Sequence, residues 1–294
     1  MTDLVQVRFA RKADARQLAL VLLAVGIDCR LVEGDGGVAL CVAAHQAEQA
    51  RQQLDAYERE NPPEELASAH QARPGLHGLG AALIYCMILL FFFGANRRQS
   101  WSVDWSAIGA AQAGLIQDGA WWRTVTALTL HADHGHLFAN LIAGIGFGML
   151  VAQVLGSGLA WLAILLAGAL GNGLNALLHP AAHTAIGSST AVFGALGILS
   201  GYTQRRRNPP WRSRIRRWVP LAAGSMLLAY LGFGGAQTDV GAHVAGFAVG
   251  AGLGLALGRW AQHLPQGRLA QLVYALLAGA LLALAWLLAL QAGT

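Results

Sequence analysis

Gly187-Ser188-Ser189-Thr190-Ala191-Val192-Phe193-Gly194, continuing through Gly197 to Gly201, decides how this chain is read. It predicts a helix of small residues opening on a pair of serines. The first backbone N–H groups of a helix have no partners within it, so an oxygen that becomes negative beside such a serine meets ready donors and the positive end of the dipole. Acyl transfer needs that arrangement. A serine after glycine is also an ordinary helix cap, so the motif alone leaves both readings open.

The surrounding composition places the helix in lipid. The chain has 294 residues, of which 55% are hydrophobic and 12% charged, and its mean hydropathy is +0.46. Soluble domains carry about twice that share of charge, so a polytopic membrane protein is expected. Basic residues exceed acidic ones, 20 to 15, but the arginines lie between apolar segments, where the positive-inside rule accounts for them and no nucleic-acid partner is needed. Cys29, Cys41 and Cys86 show neither paired spacing nor CxxC, which leaves no disulfide framework or thiolate zinc site.

Residues 1–61 read as a cytoplasmic α+β module in the order βαββα. Its strands are at Leu4–Phe9, Cys29–Val32 and Val38–Val42, and its helices at Ala13–Val25 and His45–Arg59. Leu18 to Val25 resembles a signal-peptide core but is short and sits within a regular βαβ pattern, so the segment is read as uncleaved. A linker follows over 62–75. Membrane spans are expected near 76–95, 137–155, 158–178, 189–204, 218–235, 240–260 and 269–290. The arginine-rich stretch Arg205–Arg217 marks a cytoplasmic loop, and Arg259 and Arg268 bracket another, which puts the N-terminus inside the cell membrane. Arg97 and Arg98 point weakly the other way. The long loop 96–136 carries Trp101, Trp105, Trp121 and Trp122 and is expected to lie in the interface.

With that topology the second, fourth and sixth spans all start near the outer face, bringing His136, Asn140, Ser189 and His243 to one depth. Polar groups inside spans face the bundle and are functional candidates. Each also has a bland reading: His243 and Asn140 could be helix-packing groups, and His131, His134, His136 and Asp133 could hold zinc or nickel. Gly246, Gly250, Gly254 and Gly258 recur every fourth residue on the helix of His243, while Gly194, Gly197 and Gly201 thin the helix of Ser189. If these bare faces meet, serine and histidine come within reach of each other.

At this point the chain resembles the rhomboid intramembrane serine proteases over the six spans from 76 to 260. Gly187-Ser188-Ser189 matches the family's Gly-x-Ser. Gly241-Ala242-His243-Val244-Ala245-Gly246 with Gly250 matches its histidine helix, and His131 to His136 then Asn140 its His-x4-His-x3-Asn. Trp122-Arg123 matches a Trp-Arg pair in its first loop. The resemblance implies a Ser189–His243 dyad without an acidic third member, and an oxyanion hole from the Ser189 N–H, Asn140 and His136. It implies that Phe193 packs on the catalytic histidine, and that residues 261–294 add a C-terminal span to the six-span core. Such an enzyme would cleave single-span membrane proteins near the outer face, with no metal or organic cofactor. Two departures stand out: Thr190 follows the nucleophile position, where glycine is common, and Val151–Gly156 lacks an acidic residue often found there. The rival reading is a catalytically silent relative that escorts membrane helices.

Overall fold

The computed structural model describes residues 3–34, 36–60, 78–206, 239–260 and 263–293. The expected linker, most of the Arg205–Arg217 loop and the span expected at 218–235 lie outside the described residues.

The chain divides into two compact units, Met1–Gln71 and Ala72–Thr294. The first runs β1 (Leu4–Ala10), α1 (Lys12–Ala24), β2 (Arg30–Gly34), β3 (Gly37–Ala43) and α2 (Ala47–Glu60), so the βαββα order holds with end shifts of one or two residues. The sheet is antiparallel in the order β1-β3-β2. Alternation along β3 sends Val38, Leu40 and Val42 onto Leu18 and Leu22 of α1 and Ala50 and Leu54 of α2, forming this unit's own core.

The second unit is a helical bundle. α3 (Leu79–Arg98) leads into a layered loop containing α4 (Trp105–Gly109), β4 (Ala111–Gln112), α5 (Ala113–Gln117) and α6 (Arg123–Thr126). Then come α7 (His134–Leu155), α8 (Ser157–Leu178), β5 (Thr184–Ala185), α9 (Ser189–Arg206), α10 (Val240–Trp260) and α11 (Arg268–Ala292). Among the described residues, α3, α7, α8, α10 and α11 are long and apolar enough to cross a membrane. The chain is a multi-pass membrane protein.

α9, read from sequence as a span, is not among those five. From Thr190 to Ile198 it is buried without a break, with Ala191, Ala195 and Ile198 packed against α7 and α8, so it has little need of a lipid-facing apolar surface. α7 begins three residues before the expected boundary because Asp133 caps it, accepting from the His136 N–H at 2.8 Å. The loop tryptophans split: Trp101 and Trp121 are exposed, whereas Trp105 is buried against Phe92 of α3 and Trp286 of α11. Only the first two thus suit an interfacial position. Arg123 fastens the loop by donating to the Ala107 and Ala110 carbonyls at 2.9–3.0 Å.

Candidate active site

The site is assembled where α7, α9 and α10 begin. Pairing of Ala111 with Ala185 and Gln112 with Thr184 ties the layered loop to the segment before α9. The Gly187 N–H then donates to the Ala127 carbonyl at 2.9 Å. Gly187 turns with φ +124°, a conformation open to glycine, and is overhung by the His136 ring. A Cβ there would fall 2.6 Å from His136 Nε2 and 3.7 Å from Ser189 Oγ. Imidazole and hydroxyl therefore share the small space beside this turn.

The two serines diverge. Ser189 is half-buried at the start of α9, whereas Ser188 is buried and faces the other way. Ser188 Oγ lies 2.9 Å from Tyr85 Oη on α3 and 3.5 Å from His131 Nε2. Tyr85 Oη also donates to the Asn140 carbonyl at 2.9 Å, so one hydroxyl links α3, α7 and the serine turn. Sequence reading missed this role for Tyr85 and Ser188, because partners 103 residues apart leave no local spacing. Burial, then the neighbouring His136 ring, push the His131 imidazole down to about 4, with the Thr129 carbonyl pulling weakly the other way. His131 is thus a neutral, buried support.

α9 and α10 meet backbone to backbone. A Cβ on Gly246, Gly250 or Gly254 would stand 2.1–2.2 Å from the carbonyl oxygen of Thr190, Gly194 or Ile198, and one on Gly197 or Gly201 equally close to that of Phe247 or Ala251. No side chain fits in the seam. At its end the Phe193 ring lies against the His243 ring, centroids 4.4 Å apart, and His243 is buried in the first turn of α10. The methyl of Thr190 enters a slot between Gly171 of α8 and Gly246, where a Cβ on either glycine would lie 2.8 or 3.0 Å from it. The β-branch that replaces the commoner glycine is therefore accommodated without parting the helices.

Asn140 is buried one turn into α7, and one N–H of its amide donates to the His136 carbonyl at 2.9 Å. The four residues weighed as a zinc or nickel set are not gathered round a point: His134 turns to Phe93 of α3, centroids 4.9 Å apart, and Asp133 serves as the helix cap. Another polar group was missed from sequence. Asp239 caps α10, accepting from the Ala242 N–H at 2.9 Å, and meets His183 and Asn175.

A small-residue helix with a half-open serine at its start is thus locked by glycines to a helix bearing a buried histidine, inside a multi-pass helical bundle. The rhomboid domain profile matches residues 118–260, and over that stretch the chain is similar to the rhomboid family. It is 32% identical over 155 residues to rhomboid protease GluP of Bacillus subtilis (strain 168), covering 51% of this chain and 29% of that protein. It is 25% identical over 116 residues to the putative rhomboid protease YdcA of the same bacterium, 40% of this chain and 58% of the relative. Rhomboid-like protease 3 of Toxoplasma gondii is 28% identical over 151 residues, 50% of this chain and 55% of the relative. Each match takes in less than two thirds of the relative's own length.

Proposed function

We propose that this chain is an intramembrane serine endopeptidase that cuts single-span membrane proteins. The observation that carries the reading is the side-chain-free seam of α9 and α10, which sets Phe193 on the His243 ring while Ser189 stays half-open beside His136. In this mechanism Ser189 Oγ attacks the scissile carbonyl carbon as His243 accepts its proton. The carbonyl oxygen becomes an oxyanion, received by the Ser189 N–H, the free N–H of the Asn140 amide and the His136 ring. Collapse breaks the C–N bond, and His243 returns the proton to the leaving amine. Water, deprotonated by His243, then releases the acyl group.

A peptide bond in a membrane helix is hydrogen-bonded and shielded, so the substrate must unwind locally, and small or helix-breaking residues near the cut favour that. Arg205 and Arg206 close α9 at the end opposite Ser189, about 27 Å away for 18 residues at 1.5 Å each. With the arginine end in the cytoplasm of a bacterial inner membrane, the site opens toward the outer side. Residues 1–61 form a cytoplasmic accessory module outside the chemistry.

The test is labelling by a fluorophosphonate probe together with cleavage of a single-span substrate by purified protein. Wild type and Ser188→Ala should label. Ser189→Ala should not, nor should His243→Ala, since the hydroxyl is a weak nucleophile without its base. Label that follows Ser188 moves the nucleophile by one residue. A folded protein that labels in no form, yet binds helices, is the silent escort instead.

A further inference from the structure

We propose that His179, His183 and Asp239, with Asn175 beneath them, form a binding site for a single zinc-type divalent cation at the rim where α8 ends and α10 begins. One donor atom from each of the three residues lies within 4.8 Å of the others, the one such set among the described residues. All three are half-buried, so the site is reachable from water yet shaped by its surroundings.

The donors are prepared in detail. His179 Nδ1 is 2.9 Å from the Asn175 carbonyl, which fixes that nitrogen as the N–H and leaves Nε2 with its lone pair, the usual support of a metal-bound imidazole. His183 Nε2 and Asp239 Oδ2 face each other at 2.7 Å, held by a proton that a cation would displace. The two imidazoles are stacked, centroids 4.1 Å apart.

An independent sign comes from Asn175. The residue is 3% exposed, and its Oδ1 meets no hydrogen-bond partner among the described residues. Its Nδ2 lies 2.8 Å from Asp239 Oδ2 and 3.4 Å from His183 Nε2, so turning the amide over would present an oxygen to the same point. Gly241 roofs the cluster: a Cβ there would lie 2.6 Å from Asn175 Oδ1 and 2.8 Å from His179 Cε1. Two imidazoles, a carboxylate and an amide oxygen suit zinc, while calcium and magnesium prefer all-oxygen shells. Tetrahedral zinc needs donors about 3.3 Å apart, so closing from 4.8 Å takes rotamer adjustments of roughly an ångström. The donors are residues other than Ser189 and His243, though the Asp239 carbonyl accepts the His243 N–H at 3.2 Å, and the site's existence does not depend on the protease reading. The sequence reading expected no metal, because the chemistry implied by the family resemblance needs none.

The test uses the full chain in detergent, stripped with chelator and titrated with zinc chloride against a fluorescent zinc chelator. One equivalent should bind, with affinity reduced at least about 100-fold in His179→Ala and in His183→Ala, and unchanged in His263→Ala. Cobalt chloride should give wild type the visible absorption of a tetrahedral ion. His183→Cys should keep the cobalt and add a thiolate charge-transfer band, a gain that misfolded protein would not produce. No binding by folded wild type overturns the site. So does affinity unchanged in both alanine variants, or cobalt taken up by His183→Cys without a thiolate band.

Discussion

Alanine in place of Gly250 is the sharpest probe of the α9–α10 seam. Its Cβ would sit 2.1 Å from the Gly194 oxygen and 2.8 Å from the Gly194 carbonyl carbon, where ordinary contact begins near 3.4 Å. The helices must therefore part by about 1.3 Å at that point, since neither obstacle is a flexible side chain. Overfilling of this kind costs roughly 1–3 kcal/mol, and for a unit of this size roughly 2–12 °C in Tm. The activity loss should be larger than the stability loss suggests, because a displacement near 1 Å between reacting groups can cost about 100-fold in rate. Gly252→Ala, two residues on, is the control: a Cβ there meets nothing within 4 Å. It should be neutral or stabilising by up to about 1 kcal/mol, from helix propensity alone. Thermal unfolding in detergent and single-span substrate cleavage, run on both variants, read the contrast. Equal behaviour of Gly250→Ala and Gly252→Ala would refute the backbone-contact seam.

Asn140→Ala should lower kcat by roughly 10²–10³ if its amide acts alone on the oxyanion, and by less if His136 or the serine N–H compensates; unchanged rates in both Asn140→Ala and His136→Ala would leave these as structural residues. His131, held down at about 4 against an unfolded value near 6.5, ties stability to pH. Its contribution is fully present above 6.5, and as pH falls toward 4 the unfolded chain takes up a proton that the folded one refuses, at up to about 1.4 kcal/mol per pH unit. His131→Gln should flatten the Tm profile between those values, and parallel profiles would count against the buried neutral imidazole. A reporter active only in the cytoplasm should work when fused within Arg205–Arg217 and fail after Thr294, the reverse pattern inverting the orientation. Deleting residues 1–61 should leave detergent cleavage largely intact, which a direct comparison of rates would check.

Much of the fold could be read from periodicity. A glycine every fourth residue on the helix of His243 announced a bare face, and alternation in β3 announced a half-buried strand. The boundaries that shifted were set by caps: Asp133 starts α7 earlier than hydropathy suggests, since hydropathy does not register a carboxylate accepting an N–H. α9 reads as a span because it is apolar at its start, and its neighbours add that it lies at the inside of the bundle. The links of Tyr85 to Ser188, and of Asp239 to His183, join residues 103 and 56 positions apart. No local pattern encodes such pairs; they exist because α3 passes the start of α9, and because α10 begins beside the segment that follows α8.

The seam between α9 and α10 is degenerate as a code. Glycines at 246, 250, 254 and 258 repeat every four residues, so sliding α10 by one repeat, about 6 Å, would again set glycine against main chain. What tells one alignment from the next stands at the outer end: the Thr190 methyl in its slot, the Phe193 ring on His243, and Asp239 capping the helix. The groups nearest the chemistry are thus also the keys by which two sliding helices find their place during assembly. Substitutions among them will misalign some molecules as well as slow the rest, and a partial loss of activity there has to be divided between a smaller correctly seated population and a weaker catalyst.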